Sequence, residues 1–282
     1  AKSIDLTKKF TKFPDLEIIF SAETPSYIVD ELNDWHEDDI VKLFVEAFES
    51  KGIKRFIDVG ANVGIYSMIA LKKNIDVLAI EASPSTFEML NSNLSMNKES
   101  SAYEAENIAV ADCDGEVAFY RKAIADPGAS VFRTIERKNR LLEVREHEIV
   151  QKVSFVDKAR EWKVCDSDFI KIDVEGSELL FLKEFFAYLH AEKIRPHLYI
   201  QLHFTNYACD ENKKERLRND KAIDLMHSIG NLGYRVFFRE TADEWHESGR
   251  DVYKDYMKVV DKRRGLNVYS HDLLDLDIFL SR

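Results

Sequence analysis

The loop at residues 58–64 has the residue types and spacing that point most clearly to chemistry. Its sequence, Asp-Val-Gly-Ala-Asn-Val-Gly, follows a short apolar run and precedes a helical pattern. Gly60 permits a tight turn and lets backbone N–H groups approach a ligand closely, because it has no Cβ atom. In open α/β sheets, ligands bind beyond the carboxyl ends of the strands, which is where this loop is expected. The segment therefore predicts a ligand-binding turn.

The glycine spacing limits which ligands this turn can hold. The dinucleotide fingerprint G-x-G-x-x-G is absent, and no lysine follows Gly64 as a phosphate-binding loop requires. Asp58 disfavours a pyrophosphate and suits a ligand with ammonium and sulfonium charges. Glu81 ends the second apolar run, where an acid can accept both hydroxyls of a ribose. A site for a ribose without a pyrophosphate indicates S-adenosylmethionine as the ligand. The structural alternative is a tight turn whose acidic side chains are merely solvated.

A second set of polar residues follows two later apolar runs. Asp173 and Glu175 have the period-two spacing of one strand face, and His203 ends the next run. Adjacent strand ends would bring His203 near Asp173, where either a carboxylate or the imidazole can take a proton from an alcohol. The structural alternatives are helix capping, favoured for Glu178, and a histidine bonded to a neighbouring loop.

A divalent ion is another way to activate an alcohol, because it lowers the pKa of the hydroxyl group. Asp173, Glu175 and His203 have side chains that metals accept, but no closely spaced H-x-x-H or D-x-D motif accompanies them. The sequence therefore leaves the metal unassigned.

The elements that must position these residues alternate between apolar runs and helical patterns. The runs lie at Arg55–Val59, Val77–Ile80, Glu106–Val110, Phe169–Val174 and Leu198–Phe204, with closing strands at Tyr234–Phe238 and Asp277–Leu280. This alternation predicts an α/β fold, a doubly wound parallel or mixed sheet with helices on both faces. Because no linker interrupts the pattern, we expect one domain over 1–282, with a small β-rich arm at 1–35.

Three further segments have two interpretations each. Ser130 lies in a loop expected over the cleft and is a candidate for contact with the substrate. The basic residues at 133–145 alternate with glutamates, which is typical of a solvated face and less so of an anion-binding strip. The aromatic residues within 240–271 indicate either ordinary packing or a cap that stacks on a sugar ring. Val252, Tyr256 and Val259 in that segment predict one amphipathic helix ending at Gly265.

Three motifs resemble those of the FkbM-type methyltransferases. They are D-V-G-A-N-V-G at 58–64, Asn107-Ile108-Ala109, and K-I-D-V-E-G-S-E at 171–178, the most specific of the three. The resemblance covers about residues 50–205. It implies a Rossmann-like class I methyltransferase fold with a seven-stranded, mostly parallel sheet. It also implies S-adenosylmethionine as cofactor and methylation of hydroxyl groups on sugars or macrolide natural products.

The resemblance also implies roles for individual residues. Asp58, Gly60, Asn62 and Gly64 would line the methionine and ribose part of the cofactor. Glu81 would hold the ribose hydroxyls. The residues beside the adenine would be Ala82 and Ser83 on one side and Asn107 and Ala109 on the other. Asp173 would face the methionine end or the acceptor.

The amino-acid composition limits the classes of binding partner that we expect for this protein. The 282 residues include 40 basic and 51 acidic side chains, and the net charge of −11 disfavours nucleic acid and anionic lipid. The three cysteines are scattered, which fits a reducing compartment. The chain shows no secretory or membrane-spanning pattern, so we expect a soluble cytoplasmic protein. The oligomeric state is not defined by these features.

Together these features predict an S-adenosylmethionine-dependent O-methyltransferase acting on a sugar, a glycan or a related polyhydroxylated small molecule. The catalytic candidates are Asp173, Glu175 and His203. One alternative is a module that binds the cofactor without turnover. Another is a nicotinamide-dependent oxidoreductase, against which the missing third glycine argues.

Overall fold

The computed structural model describes residues 8–34, 38–50, 52–121, 146–203, 223–241, 244–265 and 276–282. The first strands are β1 (Lys8–Lys9), β2 (Ile19–Phe20), β3 (Arg55–Val59), β4 (Asp76–Ile80), β5 (Tyr103–Glu106), β6 (Ala109–Ala111) and β7 (Gly115–Arg121). The others are β8 (Glu146–Ser154), β9 (Asp168–Ile172), β10 (His197–Leu202), β11 (Arg235–Thr241), β12 (Glu244–Glu247) and β13 (Leu276–Ser281). The helices are α1 (Ser26–Asp34), α2 (Asp38–Ser50), α3 (Ile65–Lys72), α4 (Pro84–Asn97), α5 (Phe155–Glu161), α6 (Glu178–Glu192), α7 (223–230) and α8 (Val252–Gly265).

The main sheet has eight strands in the order β12-β11-β13-β10-β9-β3-β4-β5. Strands β10, β9, β3, β4 and β5 are parallel to their neighbours in this series, and β13 is antiparallel to both β10 and β11. The expected mostly parallel sheet with helices on both faces is therefore confirmed. The eighth strand, β12, pairs with β11 at the edge of the sheet.

The central strands are buried on both faces, as parallel strands covered by helices must be. Along β9 and β10, alternate side chains belong to two different apolar clusters, because successive side chains point to opposite faces. On β10, for example, Tyr199 packs on one face, while Leu198 and Ile200 pack on the other. Two hydrophobic layers thus hold one sheet between them and fix the carboxyl ends of its strands.

The N-terminal arm differs from the β-rich expectation. Strands β1 and β2 have two residues each, and the longer element is the helix α1. Pro25 immediately precedes α1, and the apolar side chains of Ile28 and Val29 are buried in the same apolar cluster as Tyr199. The short apolar run Tyr27–Val29, which contributed to the expectation of a β-rich arm, therefore lies in a helix.

The expected third strand at 106–110 is also wrong as a single element. The chain leaves the main sheet after β5 at Glu106 and enters a three-stranded sheet, ordered β6-β8-β7, at Ala109. Between them, Asn107 donates its side-chain amide to the carbonyls of Glu81 and Ala82, at 2.8 and 3.0 Å. These two bonds hold the turn beside the end of β4.

The helix predicted to end at Gly265 is present as α8. Tyr256 is fully buried and its ring lies 6.1 Å from that of Phe238 on β11, so this part of 240–271 belongs to the core. The cap stays a prediction for the residues outside the described ranges. Among the described helices, none has the length and apolar character to cross a bilayer.

Candidate active site

A cavity of about 320 Å³ opens at the carboxyl ends of β3, β4 and β9. Its floor comes from the loops that follow these strands, as the sequence predicted for a ligand site in an open α/β sheet. Helix α1 forms one wall through Ile28, Glu31 and Leu32, and the small sheet contributes Phe119. The volume falls within the range of small-molecule pockets.

The loop after β3 approaches the loop after β9 very closely. A Cβ atom on Gly60 would lie 1.8 Å from the carbonyl oxygen of Asp173, and Gly60 has a φ of +81°. The N–H groups of Gly60 and Ala61 both donate to the carbonyl of Ile80, at 3.0 and 2.9 Å. Only glycine fits this position, because both the backbone angle and the contact exclude a side chain.

Glu81 is the buried acid of the cavity. Its carboxylate accepts the backbone N–H of Asn62 and of Ser83, both at 2.9 Å. Burial raises the pKa of Glu81 to about 7, and the two N–H donors only partly offset that effect. A polar ligand group that donates to this carboxylate would favour its ionised form.

Lys171 is a buried cation between two acids. Its Nζ lies 3.4 Å from Asp58 Oδ1 and 3.2 Å from Asp173 Oδ2, and it donates to the carbonyl of Gly60 at 3.2 Å. Burial by itself would lower the pKa of Lys171, but Asp173 and Asp58 raise it above the ordinary value. Lys171 therefore stays charged and joins the loops after β3 and β9.

His203 follows β10 and lies among three carboxylates. Its Nδ1 is 3.2 Å from Glu178 Oε1, and its Nε2 is 3.5 Å from Glu175 Oε1 and 4.0 Å from Asp173 Oδ1. Burial opposes its charged form, yet Glu178, Glu175 and Asp173 together raise the pKa of His203 well above the usual 6.5. Proximity of His203 and Asp173 was expected from the order of the strands.

Glu175 has an unusual backbone conformation for a residue with a side chain. Its φ is +54°, and Gly176 follows with a φ of +106°. Left-handed backbone at a non-glycine residue is uncommon and costs about 1 kcal/mol or more. The turn presents the Glu175 side chain to the cavity, where it is only partly exposed.

The predicted site residues divide into three groups. Those that line the cavity are Gly60, Asn62, Glu81, Ala82, Ser83, Ala109, Asp173 and Glu175. Those that lie behind the lining are Asp58, Gly64, Asn107 and His203. Ser130 lies outside the described residues.

The residues behind the lining have identifiable contacts. Asp58 accepts a hydrogen bond from Ser67 at 2.7 Å and pairs with Lys171. Gly64 is the N-cap of α3, and a Cβ there would lie 2.6 Å from Leu90 Cδ1, so it serves the packing of α3 on α4. These residues shape the loop from behind.

Sequence reasoning missed Lys171 and the wall formed by α1. A lysine between two isoleucines in an otherwise apolar strand is a detectable signal, because a buried cation requires acidic partners. The wall formed by α1 had no such signal. Helix α1 is far from the cofactor loop in the sequence, so no local pattern indicates that the two are in contact. Glu178 was interpreted mainly as a capping acid, and its contact with His203 was not foreseen.

Asp173, Glu178 and His203 bring three potential ligand atoms within 4.8 Å of one another. Hydrogen bonds within the protein already account for this arrangement. Glu178 accepts the backbone N–H groups of Val174 and Gly176, at 2.8 and 2.9 Å, besides facing His203. The geometry is therefore that of a hydrogen-bonded network, and we assign no metal to it.

Comparison with known protein families shows to which family this chain belongs. The family described as "Methyltransferase FkbM domain" matches residues 58–236, which is more than half of the sequence. The chain belongs to the FkbM methyltransferase family. The resemblance seen in the motifs is confirmed, and the cofactor of this FkbM protein is S-adenosylmethionine.

The solved structures to which this chain is similar are distant in sequence. An O-methyltransferase from Bacillus cereus in complex with SAH is 10% identical, with a TM-score of 0.45 over 87% of this chain and 81% of that one. An SAH-bound methyltransferase from Podospora anserina is 7% identical, with a TM-score of 0.40 over 73% and 75% of the two chains. No curated protein matches the sequence.

The cavity fits S-adenosylmethionine on two observations. Asn62 directs a buried Oδ1 that has no hydrogen-bond partner among the described residues, which a ligand donor would satisfy. Glu81 supplies a carboxylate at the end of β4, where a ribose is bound in related α/β folds.

Proposed function

We propose that the protein transfers the methyl group of S-adenosylmethionine to a hydroxyl of a sugar, a glycan or a related polyhydroxylated small molecule. One observation supports this most strongly. The cavity that fits the cofactor continues to Asp173 and Glu175, whose carboxylates accept hydrogen bonds from hydroxyl groups. A cofactor site and a hydroxyl-binding site would thus share one enclosure.

We assign the cofactor contacts from the lining of the cavity. Glu81 would accept the two ribose hydroxyls, and Gly60 and Asn62 would lie along the methionine portion. Ala82, Ser83 and Ala109 would enclose the adenine, with Phe119 on the same side. Ser83 is fixed by a 3.0 Å bond to Glu148 of β8, so the small sheet helps to shape this end.

The bound cofactor supplies an electrophilic methyl group on a sulfonium. The residues of this chain would hold the acceptor oxygen in line with that methyl and remove its proton, because an alcohol is a poor nucleophile at neutral pH. Asp173 and Glu175 would accept the hydrogen bond of the hydroxyl and pass its proton to His203, which lies behind them. The products are the methyl ether, S-adenosylhomocysteine and one proton.

Charge supports a neutral acceptor. Glu31, Glu175 and Asp173 border the cavity, and Lys171 is already paired with two acids. Phosphorylated or carboxylated acceptors would meet repulsion there, as would nucleic acid. A cytoplasmic setting is part of the proposal, since Cys113 and Cys165 are exposed free thiols.

The test is incubation with methyl-labelled S-adenosylmethionine and a panel of neutral glycosides, acidic glycosides, phenols and RNA. We expect label in an ether linkage on a neutral glycoside, and loss of at least 100-fold in rate for Asp173→Ala if it orients the hydroxyl. Glu184→Gln, an exposed change on α6, is the matched control. Tight cofactor binding without transfer to any hydroxyl would instead identify a binding module.

A further inference from the structure

Glu178 is a fully buried carboxylate near the cavity, and the proposed chemistry does not use it. It is fully buried at the first position of α6. Its Oε1 accepts the N–H of Val174 at 2.8 Å, and its Oε2 accepts the N–H of Gly176 at 2.9 Å. These two bonds fix the carboxylate against the turn that contains Asp173 and Glu175.

The second contact of Glu178 is with His203. The distance from Glu178 Oε1 to Nδ1 of the imidazole is 3.2 Å, and both groups are buried. Because both carboxylate oxygens already act as acceptors, Nδ1 is the donor in this pair. A neutral His203 in this position therefore carries its proton on Nδ1 and has its lone pair on Nε2.

The other ring nitrogen faces the cavity side of the network. Nε2 lies 3.5 Å from Glu175 and 4.0 Å from Asp173, and both of these acids line the cavity. Helix capping explains the two backbone bonds of Glu178, yet it does not require the contact with the imidazole. The arrangement matches the general pattern of a base oriented by a buried acid behind it.

We propose that Glu178 is a positioning residue, which holds His203 with its Nε2 turned toward Asp173 and Glu175. Nε2 is then the atom that receives the proton of the substrate hydroxyl. The proposal rests on the methyl transfer proposed above and names the pair of residues that handles its proton. As the new C–O bond forms and the C–S bond breaks, the hydroxyl proton passes to Nε2 by way of the Asp173 or Glu175 carboxylate that lines the cavity. Glu178 then stabilises the resulting imidazolium through its bond to Nδ1.

The charges around His203 give this arrangement a pH dependence. The acids facing the imidazole among the described residues are Asp173 and Glu175 from the turn and Glu178 from α6. They raise the pKa of His203, so a base at this position is active only above that raised value. The transfer rate should therefore rise with pH through a midpoint above 6.5.

Nuclear magnetic resonance of the ¹⁵N-labelled imidazole tests the positioning without any assay of transfer. The resonances of His203 are assigned by their loss in His203→Gln. In the wild-type protein with S-adenosylhomocysteine, we expect the neutral His203 ring to carry its proton on Nδ1. In Glu178→Gln the midpoint of its titration should move to lower pH, while Glu184→Gln on the exposed face of α6 leaves it unchanged. An Nε2-protonated wild-type ring would overturn the proposal, whether or not Glu178→Gln folds.

Kinetics separate this proposal from the function on which it rests. Glu178→Gln should lower kcat roughly 10- to 100-fold and shift the acidic limb of the pH profile downward, with cofactor affinity by calorimetry unchanged. An unshifted limb would contradict the positioning role. Absence of transfer by the wild-type protein would contradict the proposed function, and the ring tautomer would still decide the positioning. Loss of transfer on chelation, restored by Mg²⁺ or Mn²⁺, would replace the base with a metal site.

Discussion

Glu81 lies at the end of β4 with its carboxylate buried, and its pKa of about 7 places its titration in the physiological range. Two N–H groups hold the carboxylate in place, from Asn62 and from Ser83. Ribose hydroxyls donate best to the charged form, so binding of the cofactor favours loss of the Glu81 proton. Ligand binding and ionisation are therefore linked at this residue.

This linkage predicts that affinity for S-adenosylhomocysteine rises between about pH 6 and 8, by at most tenfold per pH unit below the pKa. The sign follows from the raised pKa: at lower pH, binding must first remove a proton from Glu81. Calorimetry in buffers of different ionisation enthalpy should detect this proton release. Glu81→Gln should weaken binding roughly 10- to 100-fold, because it loses charge-assisted bonds, and should flatten the pH dependence. Equal affinity across this range in the wild-type protein would contradict the assignment.

Lys171 bridges the buried Asp58 and the partly exposed Asp173, and it is itself 3% exposed. Lys171→Met should destabilise the protein by about 3–5 kcal/mol, because Asp58 and Asp173 would lose their shared cation. Urea unfolding at neutral pH measures the change. Lys183→Met is the control, since Lys183 lies on α6 with an exposed side chain and an exposed partner. Similar stability losses for the two variants would show that Lys171 contributes no more than a surface charge.

At the scale of elements, the turn after β3 is defined by its contact with the turn after β9. Asp173 donates its N–H to the carbonyl of Val59 at 3.0 Å, and Gly60 touches the carbonyl of Asp173. Gly60→Ala should therefore reduce affinity for S-adenosylhomocysteine more than tenfold by pushing these turns apart. Isothermal calorimetry with thermal unfolding measures both consequences.

Gly52→Ala provides the matched control for this change. Gly52 also has a positive φ, +65°, but no atom lies within 4 Å of the added Cβ. It should cost about 1 kcal/mol of stability from the backbone angle alone and leave cofactor affinity unchanged. If the two alanine variants bind the cofactor equally well, close approach at Gly60 is not what forms the site.

The elements also show what could be predicted from the sequence. The order of apolar runs and helical patterns was sufficient for β3, β4, β9 and α6, because strands buried on both faces leave a strong apolar signal. Helix α1 was misassigned because its apolar residues form a short run that fits a strand equally well. The prediction of the third strand was wrong because one apolar stretch contributes strands to two sheets. The break between them at Asn107 depends on a side-chain hydrogen bond that the sequence pattern does not show.

At the scale of the whole molecule, the site forms where distant parts of the sequence meet. Glu178 and His203 are 25 residues apart, and Glu31 lies on a helix that precedes the cofactor loop. A pattern in one dimension identifies the residue types at each strand end, which is why Glu81 and Asp173 were found. Contacts between side chains on different strands depend on the order of the strands in the sheet. The contacts of Lys171 and Glu178 could therefore be identified only from the structure.

The two apolar clusters share one sheet, and this predicts a single unfolding transition. Trp162 packs in one cluster and Trp245 against the other, on opposite faces of the sheet. Because each central strand contributes to both faces, losing one layer exposes the other. Two double variants, Trp35→Phe with Trp162→Phe and Trp35→Phe with Trp245→Phe, each keep a single tryptophan. Denaturation followed by their fluorescence and by circular dichroism should give coincident midpoints. Separate midpoints would indicate two independently folding units.

The central claim is that the cavity at the ends of β3, β4 and β9 binds S-adenosylmethionine through Glu81. A crystal structure of the wild-type protein at saturating S-adenosylhomocysteine measures this most directly. The account predicts ribose hydroxyls within hydrogen-bond distance of the Glu81 carboxylate and the sulfur directed toward Asp173. A nucleoside bound elsewhere, or a ribose turned away from Glu81, would contradict it.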